Sequence, residues 1–300
     1  TVTEPAATPG PGAPRRGGVV VAGLDASPDS HAVLAVATQL AACLGARVTA
    51  RFVEEVDWLA AAALPCARWV AAPSGVGQAL STGQVELTWR AAATRLRAQL
   101  DVHAGTGAVE WSFEVVRGRA WTVLGEAGRT ADVLVLGTHG WQGNGQRLGS
   151  VARAALQECA VALALVPAAA RRPARWAALL DTPAGAPAVL DMARALAAGG
   201  ATVTAWCVPE LVDAARAALA GQPDAPALER LAAPLRPGTL PVELSRGPPV
   251  GVVMARASRS ASPVRVPDLL AGGVAALVLV GAPPPDQDPR PVAGAHQPQF

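Results

Sequence analysis

Ten residues of this chain occur twice. Ala46-Arg-Val-Thr-Ala-Arg-Phe-Val-Glu-Glu55 returns 155 residues later as Ala201-Thr-Val-Thr-Ala-Trp-Cys-Val-Pro-Glu210, with six of ten positions identical. Further matches follow the same order along the chain. Asp25-Ala26-Ser27-Pro28 is echoed by Asp181-Thr182-Pro183, Arg117-Gly118 by Arg246-Gly247, and Val133-Leu-Val-Leu-Gly137 by Leu277-Val-Leu-Val-Gly281. Each match lies at or near the end of an apolar run. Such self-similarity argues for duplication of a whole folding unit, and 300 residues suit two units that each bury a core of their own.

The unit itself alternates strand and helix. Val19–Leu24 is a continuous apolar run, which reads as a strand buried on both faces. Ser27 is a good helix N-cap, Pro28 fits the first helical position, and Gly45 stops the helix that follows. A second strand covers 48–53, a helix 84–103, a third strand 110–116, a helix 120–130, a fourth strand 133–136, a helix 150–158 and a fifth strand 162–166. Alternation of this kind implies a parallel sheet with right-handed crossovers, an α/β fold. The stretch 54–83, with Trp58, Trp69 and a Pro73-Ser74-Gly75 turn, is too long for an idle connection and is expected to act as a lid or interface.

If Leu277–Gly281 is the counterpart of the fourth strand, the second copy stops there. It would have neither a Gly-rich loop nor a fifth strand, since Ala282-Pro283-Pro284-Pro285 follows. The expected layout is a disordered lead over 1–17, a first domain over 18–167, a linker over 168–173, a degenerate second domain over 174–282 and a Pro-rich tail over 283–300. The first domain's fifth strand would then keep a free edge near Ala164, open to antiparallel pairing with a second chain in a homodimer.

Composition removes several function classes. The net charge is +2, which offers no electrostatic footprint for nucleic acid or a membrane surface. All 25 basic residues are Arg, with no Lys anywhere, which excludes a Walker-type loop and Schiff-base chemistry. Cys43, Cys66, Cys159 and Cys207 show no metal-ligand or redox spacing and read as buried apolar thiols of a reducing, cytoplasmic protein. No stretch reads as a signal peptide, and the longest apolar run, 269–282, is too short to span a bilayer.

The segment that carries chemistry is Gly137-Thr-His-Gly140-Trp-Gln-Gly-Asn-Gly-Gln-Arg-Leu-Gly149-Ser150-Val151. It lies between a buried strand and a helix. Glycines there can turn backbone N–H groups inward as an anion nest, adopting positive φ where required. Ser150 opens a helix whose first N–H groups are unpaired and lie at the positive end of its dipole. Arg147 is within reach of a phosphate or simply solvated. Trp141 is either a lid or ordinary surface. His139 has no nucleophile at motif distance and is not expected to be catalytic. Glu54, Glu55 and Asp57 read as solvated loop charges rather than a Mg²⁺ site.

Gly137-x2-Gly140-x8-Gly149-Ser150 resembles the G-x2-G-x9-G-[ST] loop of ATP-binding universal stress proteins, one residue short. The order of elements and the Asp at the end of the first strand agree with that family over about 18–167, and more weakly over 173–281. The resemblance implies two tandem universal-stress-protein-like domains, each an open parallel five-stranded sheet of order 3-2-1-4-5 between helices, the second copy truncated after its fourth strand. It implies ATP as ligand, with or without Mg²⁺, in the first domain. Asp25, Val53 and Val116 would lie at the adenine and ribose, and Gly137, Gly140, Gly149, Ser150 and Val151 would hold ribose and phosphates. The function so implied is adenine-nucleotide binding in a regulatory or stress role, with an unidentified protein partner and no catalysis. The rival reading is an interaction protein of the same fold that needs no nucleotide.

Overall fold

The computed structural model describes residues 17–70, 77–104, 109–140, 148–168, 170–221, 225–231, 244, 247–256 and 266–281. In the first half, β1 (Val19–Leu24), α1 (Asp29–Leu44), β2 (Arg47–Glu55), α2 (Val56–Ala62), the short β3 (Arg68–Val70) and β4 (Gly77–Ala79), α3 (Thr82–Ala104), β5 (Trp111–Gly118), α4 (Ala120–Gly128), β6 (Val133–Gly137), α5 (Ser150–Glu158) and β7 (Ala162–Val166) follow in order. The second half contains β8 (Arg175–Leu180), α6 (Ala186–Ala198), β9 (Val203–Cys207), α7 (Val212–Leu219), β10 (Ala227–Arg230), β11 (Val250–Ala255), α8 (Val266–Ala271) and β12 (Ala276–Val280).

Ten strands form one sheet in the order β10-β9-β8-β11-β12-β7-β6-β1-β2-β5, and β3 and β4 form a separate hairpin. Within each half all pairings of the ten-stranded sheet are parallel, while the β3–β4 hairpin is antiparallel. The order β5-β2-β1-β6-β7 is the 3-2-1-4-5 arrangement that the resemblance implied. The central strands β6, β7, β11 and β12 are almost wholly buried, which their uninterrupted Val, Leu and Ala content requires of a parallel sheet covered by helices. Two apolar layers result, one on each face. Trp89, Trp176, Phe52 and α1 belong to the first, while Leu124, Leu134, Met254 and α5 belong to the second.

The second copy is not truncated after its fourth strand. β11 pairs with β8 as β6 pairs with β1, so β11 is the fourth strand and β12 the fifth. The hydrogen bonds at the strand ends confirm the register: Thr138 N–H donates to Val166 O at 3.0 Å, and Arg256 N–H donates to Val280 O at 2.9 Å. The match of Val133–Gly137 with Leu277–Gly281 was therefore one strand out, because two neighbouring buried strands of the same sheet carry nearly the same Val/Leu composition. Gly247 likewise lies just ahead of β11, not at the end of the third strand, β10. The counterpart of the Gly-rich loop is 257–265, outside the described residues; its sequence contains no glycine. The lead 1–16, Trp141, Arg147 and the tail 282–300 also lie outside them.

The edge expected to be free is filled from within the chain. β12 runs antiparallel to β7, with Leu277 opposite Leu165, Val278 opposite Ala164 and Leu279 opposite Leu163. The homodimer expected at that edge loses its surface. Helices reinforce the seam. Gln39 of α1 donates to Pro173 O at 2.8 Å, and Arg256, only 4 % exposed, donates from Nη1 to Ala155 O at 3.4 Å and from Nη2 to Val161 O, across the seam at the end of α5. Gly199, just after α6, lies so close to the Cys43 backbone that a Cβ would overlap it.

The stretch 54–83 is structured at both ends: β2 continues to Glu55, α2 and the β3–β4 hairpin follow, and α3 begins at Thr82. Among the described residues no helix is long and apolar enough to cross a membrane.

Gly199→Val tests the helix contact at the seam. Overpacking at a backbone contact costs about 1–3 kcal/mol, so the free energy of unfolding measured by urea titration is expected to fall by that amount while the first half's cavity is untouched.

Candidate functional site

A cavity of about 540 Å³ opens at the carboxyl ends of β1 and β6. These neighbouring strands send their crossovers to opposite sides, and ligands of open α/β sheets bind in the crevice so formed. Asp25, Gly137, His139, Gly140, Gly149, Ser150 and Val151 line it. Val53 of β2, Trp58 and Ala61 of α2, Trp89 of α3, and Ala120 and Leu124 of α4 supply a largely apolar wall. α2 thus gives the long stretch after β2 its role as a cover over the cavity.

Of the residues expected from sequence, seven line this cavity and one does not. Val116 lies opposite Val53 in the β2–β5 register, yet the cavity turns toward α2 and α4 instead, and Ala120 and Leu124 occupy the wall expected of Val116. Arg153 was not singled out and does line the cavity, one turn into α5. Its backbone N–H donates to Gly149 O at 3.0 Å.

Asp25 is held by its own turn. One carboxylate oxygen, Oδ1, accepts the Ser27 N–H at 2.9 Å, the Ser27 hydroxyl and the Ser30 hydroxyl at 3.1 Å. Ser27 is therefore committed to Asp25 and does not cap α1 through its side chain; Pro28 takes the N-cap position. The other oxygen, Oδ2, faces Gly140.

The Gly-rich loop is anchored by a residue that sequence reasoning missed. Asp29, 3 % exposed, lies at the first turn of α1, and its Oδ2 accepts the His139 N–H at 2.9 Å. The same oxygen is 3.6 Å from His139 Nδ1, and Nδ1 is hydrogen-bonded to Thr138 Oγ1 at 2.8 Å. An acid in a helix's first turn ordinarily reads as a dipole partner, so nothing in the local pattern singles out Asp29. Burial pushes its carboxyl above the usual value of 3.8, opposed by the His139 N–H and imidazole and assisted by the nearby Asp25.

Glycine is needed here for close approach rather than for positive φ. No described glycine of the loop has positive φ, and a Cβ on Gly140 would meet only Asp25 Oδ2 at 3.7 Å. On Gly137 it would sit 2.7 Å from Asp29 Cβ, and on Gly149 3.1 Å from the Gly140 N. Gly149 N–H also closes the loop on Thr138 O at 2.8 Å. The strict glycine positions are thus 137 and 149.

The acidic cluster at the end of β2 is spent on structure. Glu54 pairs with Arg117 at 2.8 Å and Asp57 with Arg119 at 3.6 Å. Glu55 accepts the Ala120 N–H at 2.7 Å, at the start of α4. Among the described residues no group of three or more metal-ligating side chains converges.

Comparison with known proteins agrees with this arrangement. Residues 18–167, half the chain, match the Universal stress protein family. This chain belongs to that family. Among solved structures, a universal stress protein from Archaeoglobus fulgidus DSM 4304 superposes with a TM-score of 0.62 at 11 % identity, covering 90 % of this chain and 98 % of the other. A universal stress protein in complex with cAMP gives 0.33 at 21 % identity over 51 % of this chain and 98 % of the other. A family member from Burkholderia pseudomallei gives 0.28 at 20 % identity, over 41 % and 83 %. The Archaeoglobus likeness, spanning nearly all of both chains, establishes the fold. No curated protein matches significantly.

The burial of Asp29 predicts a pH dependence. The folded chain holds its proton more tightly than the unfolded chain, so this group's contribution to stability falls as pH rises above the ordinary Asp value. In thermal melts, Asp29→Asn is expected to gain stability relative to the parent as pH rises above the ordinary Asp value of 3.8.

Proposed function

We propose that the first half of this universal stress protein binds one adenine nucleotide, ATP, in the cavity between β1 and β6, and that the chain acts as a nucleotide-responsive regulator rather than an enzyme. The observation that carries the reading is the meeting of three features at one crevice. They are the close-approach glycines Gly137 and Gly149, the N-terminus of the nine-residue α5 at Ser150, and an apolar slot between Val53, Trp58 and Leu124. The unpaired N–H groups at a helix start suit phosphate, and the slot suits a planar base. Asp25 Oδ2, on the Gly140 side, is placed for a ribose hydroxyl or the base edge.

Catalysis is not part of the proposal. A nucleophile, a base and a third orienting group would have to converge. His139 has the buried Asp29 beside it, but its neighbouring hydroxyl, Thr138, is 1 % exposed and closed off from the cavity by its own hydrogen bond to the ring. Any Mg²⁺ would enter with the nucleotide's phosphates, since the nearby carboxylates are already paired or capping.

The second half supports single occupancy. Asp181 repeats Asp25, but the Asp29 position is taken by Gly185 and the Gly137 position by Ala255, whose Cβ packs against Gly185. The anchoring carboxylate and the strand-end glycine have both been lost. In this reading β12 takes the part of a second subunit for the edge of β7.

Calorimetric titration of the full chain with ATP is expected to give one site per chain; two would contradict the assignment to the first half. Gly149→Val should leave the sheet intact by circular dichroism and weaken ATP binding, because its side chain would crowd the Gly140 N–H. Binding as tight as the parent's would show that the loop does not hold phosphate.

A further inference from the structure

We infer that His139 contacts the phosphates of the bound nucleotide through Nε2, that Asp29 positions it, and that this pair takes up a proton as the phosphates arrive. The inference rests on the nucleotide-binding reading above and extends it to how the site manages charge.

The cavity wall is acidic for a site that takes a polyanion. Four carboxylates line it: Asp25 at the end of β1, Asp29 on α1, Glu55 on β2 and Asp57 on α2. Against them, among the described residues, stands one arginine, Arg153 of α5. Three of the four carboxylates have other partners, Asp25 through Oδ1 only, since its Oδ2 faces Gly140. Asp25 is bound to Ser27 and Ser30, Glu55 holds the start of α4, and Asp57 pairs with Arg119. The fourth, Asp29, lies directly beneath the loop. Among the described residues its only polar partners are the His139 N–H and imidazole.

This arrangement fixes the imidazole. Its backbone is tied by the 2.9 Å bond to Asp29, and Nδ1 faces both Thr138 Oγ1 and the Asp29 carboxylate. Nε2 is the nitrogen left over. His139 lies between the two glycines of the turn, lines the cavity, and has a side chain 21 % exposed. The Thr138 hydroxyl holds Nδ1 at hydrogen-bond distance with the Asp29 carboxylate 3.6 Å away, and a partner at one ring nitrogen orients the other. Phosphates lying across Gly137, Gly140 and the first turn of α5 come within reach of that nitrogen.

The charge argument then follows. A phosphate chain placed over a buried carboxylate is repelled by it, and the repulsion in a poorly solvated site is stronger than in water. A proton on the Asp29–His139 pair removes the repulsion and leaves an N–H donor facing the phosphates. The raised carboxyl of Asp29 acts in the same direction. The proton comes from solvent, and no covalent step is involved. Binding and proton uptake are linked, so affinity for the nucleotide rises as pH falls.

The test is calorimetry of ATP binding to the full chain, repeated across about pH 5 to about pH 8, where histidine changes charge, and in two buffers of different ionisation enthalpy. The terminal phosphate of ATP also titrates in this range, so the parent's proton count is read against that of two variants, His139→Gln and Asp29→Asn. The parent is expected to take up more protons than either variant, and its affinity to fall with pH more steeply than theirs, by up to about tenfold per pH unit at the steepest point. Asp29→Asn keeps an oxygen to accept the His139 N–H, and is expected to bind more tightly than the parent at the high end of the range. Equal proton counts and parallel pH profiles for parent and variants would overturn this inference while leaving nucleotide binding intact. Absence of ATP binding by the parent at every pH would overturn the nucleotide reading itself, and this inference with it.

Discussion

The antiparallel pairing of β7 with β12 is the joint on which the whole architecture depends. Each half is a parallel sheet, and a parallel sheet has two edges of unpaired N–H and C=O groups that invite association. Here the two fifth strands meet, Leu163, Ala164 and Leu165 against Leu279, Val278 and Leu277, and both inner edges vanish. The strands at the seam are wholly buried, so their side chains have no solvent-facing side and can be small and aliphatic throughout. That suits a chain with only 4 % aromatic residues. It also leaves the outer edges to the more polar β5 and β10, whose alternate positions reach solvent.

The seam places the end of α5 next to the second half, while the start of α5 faces the cavity. Arg256 spans the gap. It follows β11 as Thr138 follows β6, and its guanidinium donates to the carbonyls of Ala155 and Val161 around the end of α5. Cations are favoured at that end of a helix dipole. A buried arginine is costly unless satisfied, and burial lowers its pKa here. The two copies therefore use the same position differently. In the first it is a small hydroxyl residue inside the loop of the site; in the second it is a long cation that fastens the halves together.

The two copies also diverge at the contact between the fourth strand and the first helix. In the first, a strand glycine (Gly137) accommodates a helix aspartate (Asp29). In the second, a helix glycine (Gly185) accommodates a strand alanine (Ala255). The space is conserved and the chemistry is not: one version anchors a loop by a carboxylate, the other merely packs.

The sequence by itself determined the unit. Continuous apolar runs, Gly45, and the strand–glycine–helix segment around Gly137 and Ser150 placed the elements of the first half outside 54–83, signalled the repeat and named seven residues of the cavity's lining, because these signals are local: periodicity, stops, and backbone that must approach closely. It could not distinguish β11 from β12 as the counterpart of β6, since buried neighbours in a parallel sheet share one composition and only hydrogen-bond register separates them. From that one ambiguity came the expectations of a missing fifth strand and a free edge. Tertiary structure alone decided that α2 and α4, rather than Val116, wall the cavity. It alone brought Asp29 beneath His139, 110 positions away in the chain, because the partner of a buried carboxylate is chosen by packing across the crevice and leaves no mark on the residues beside it.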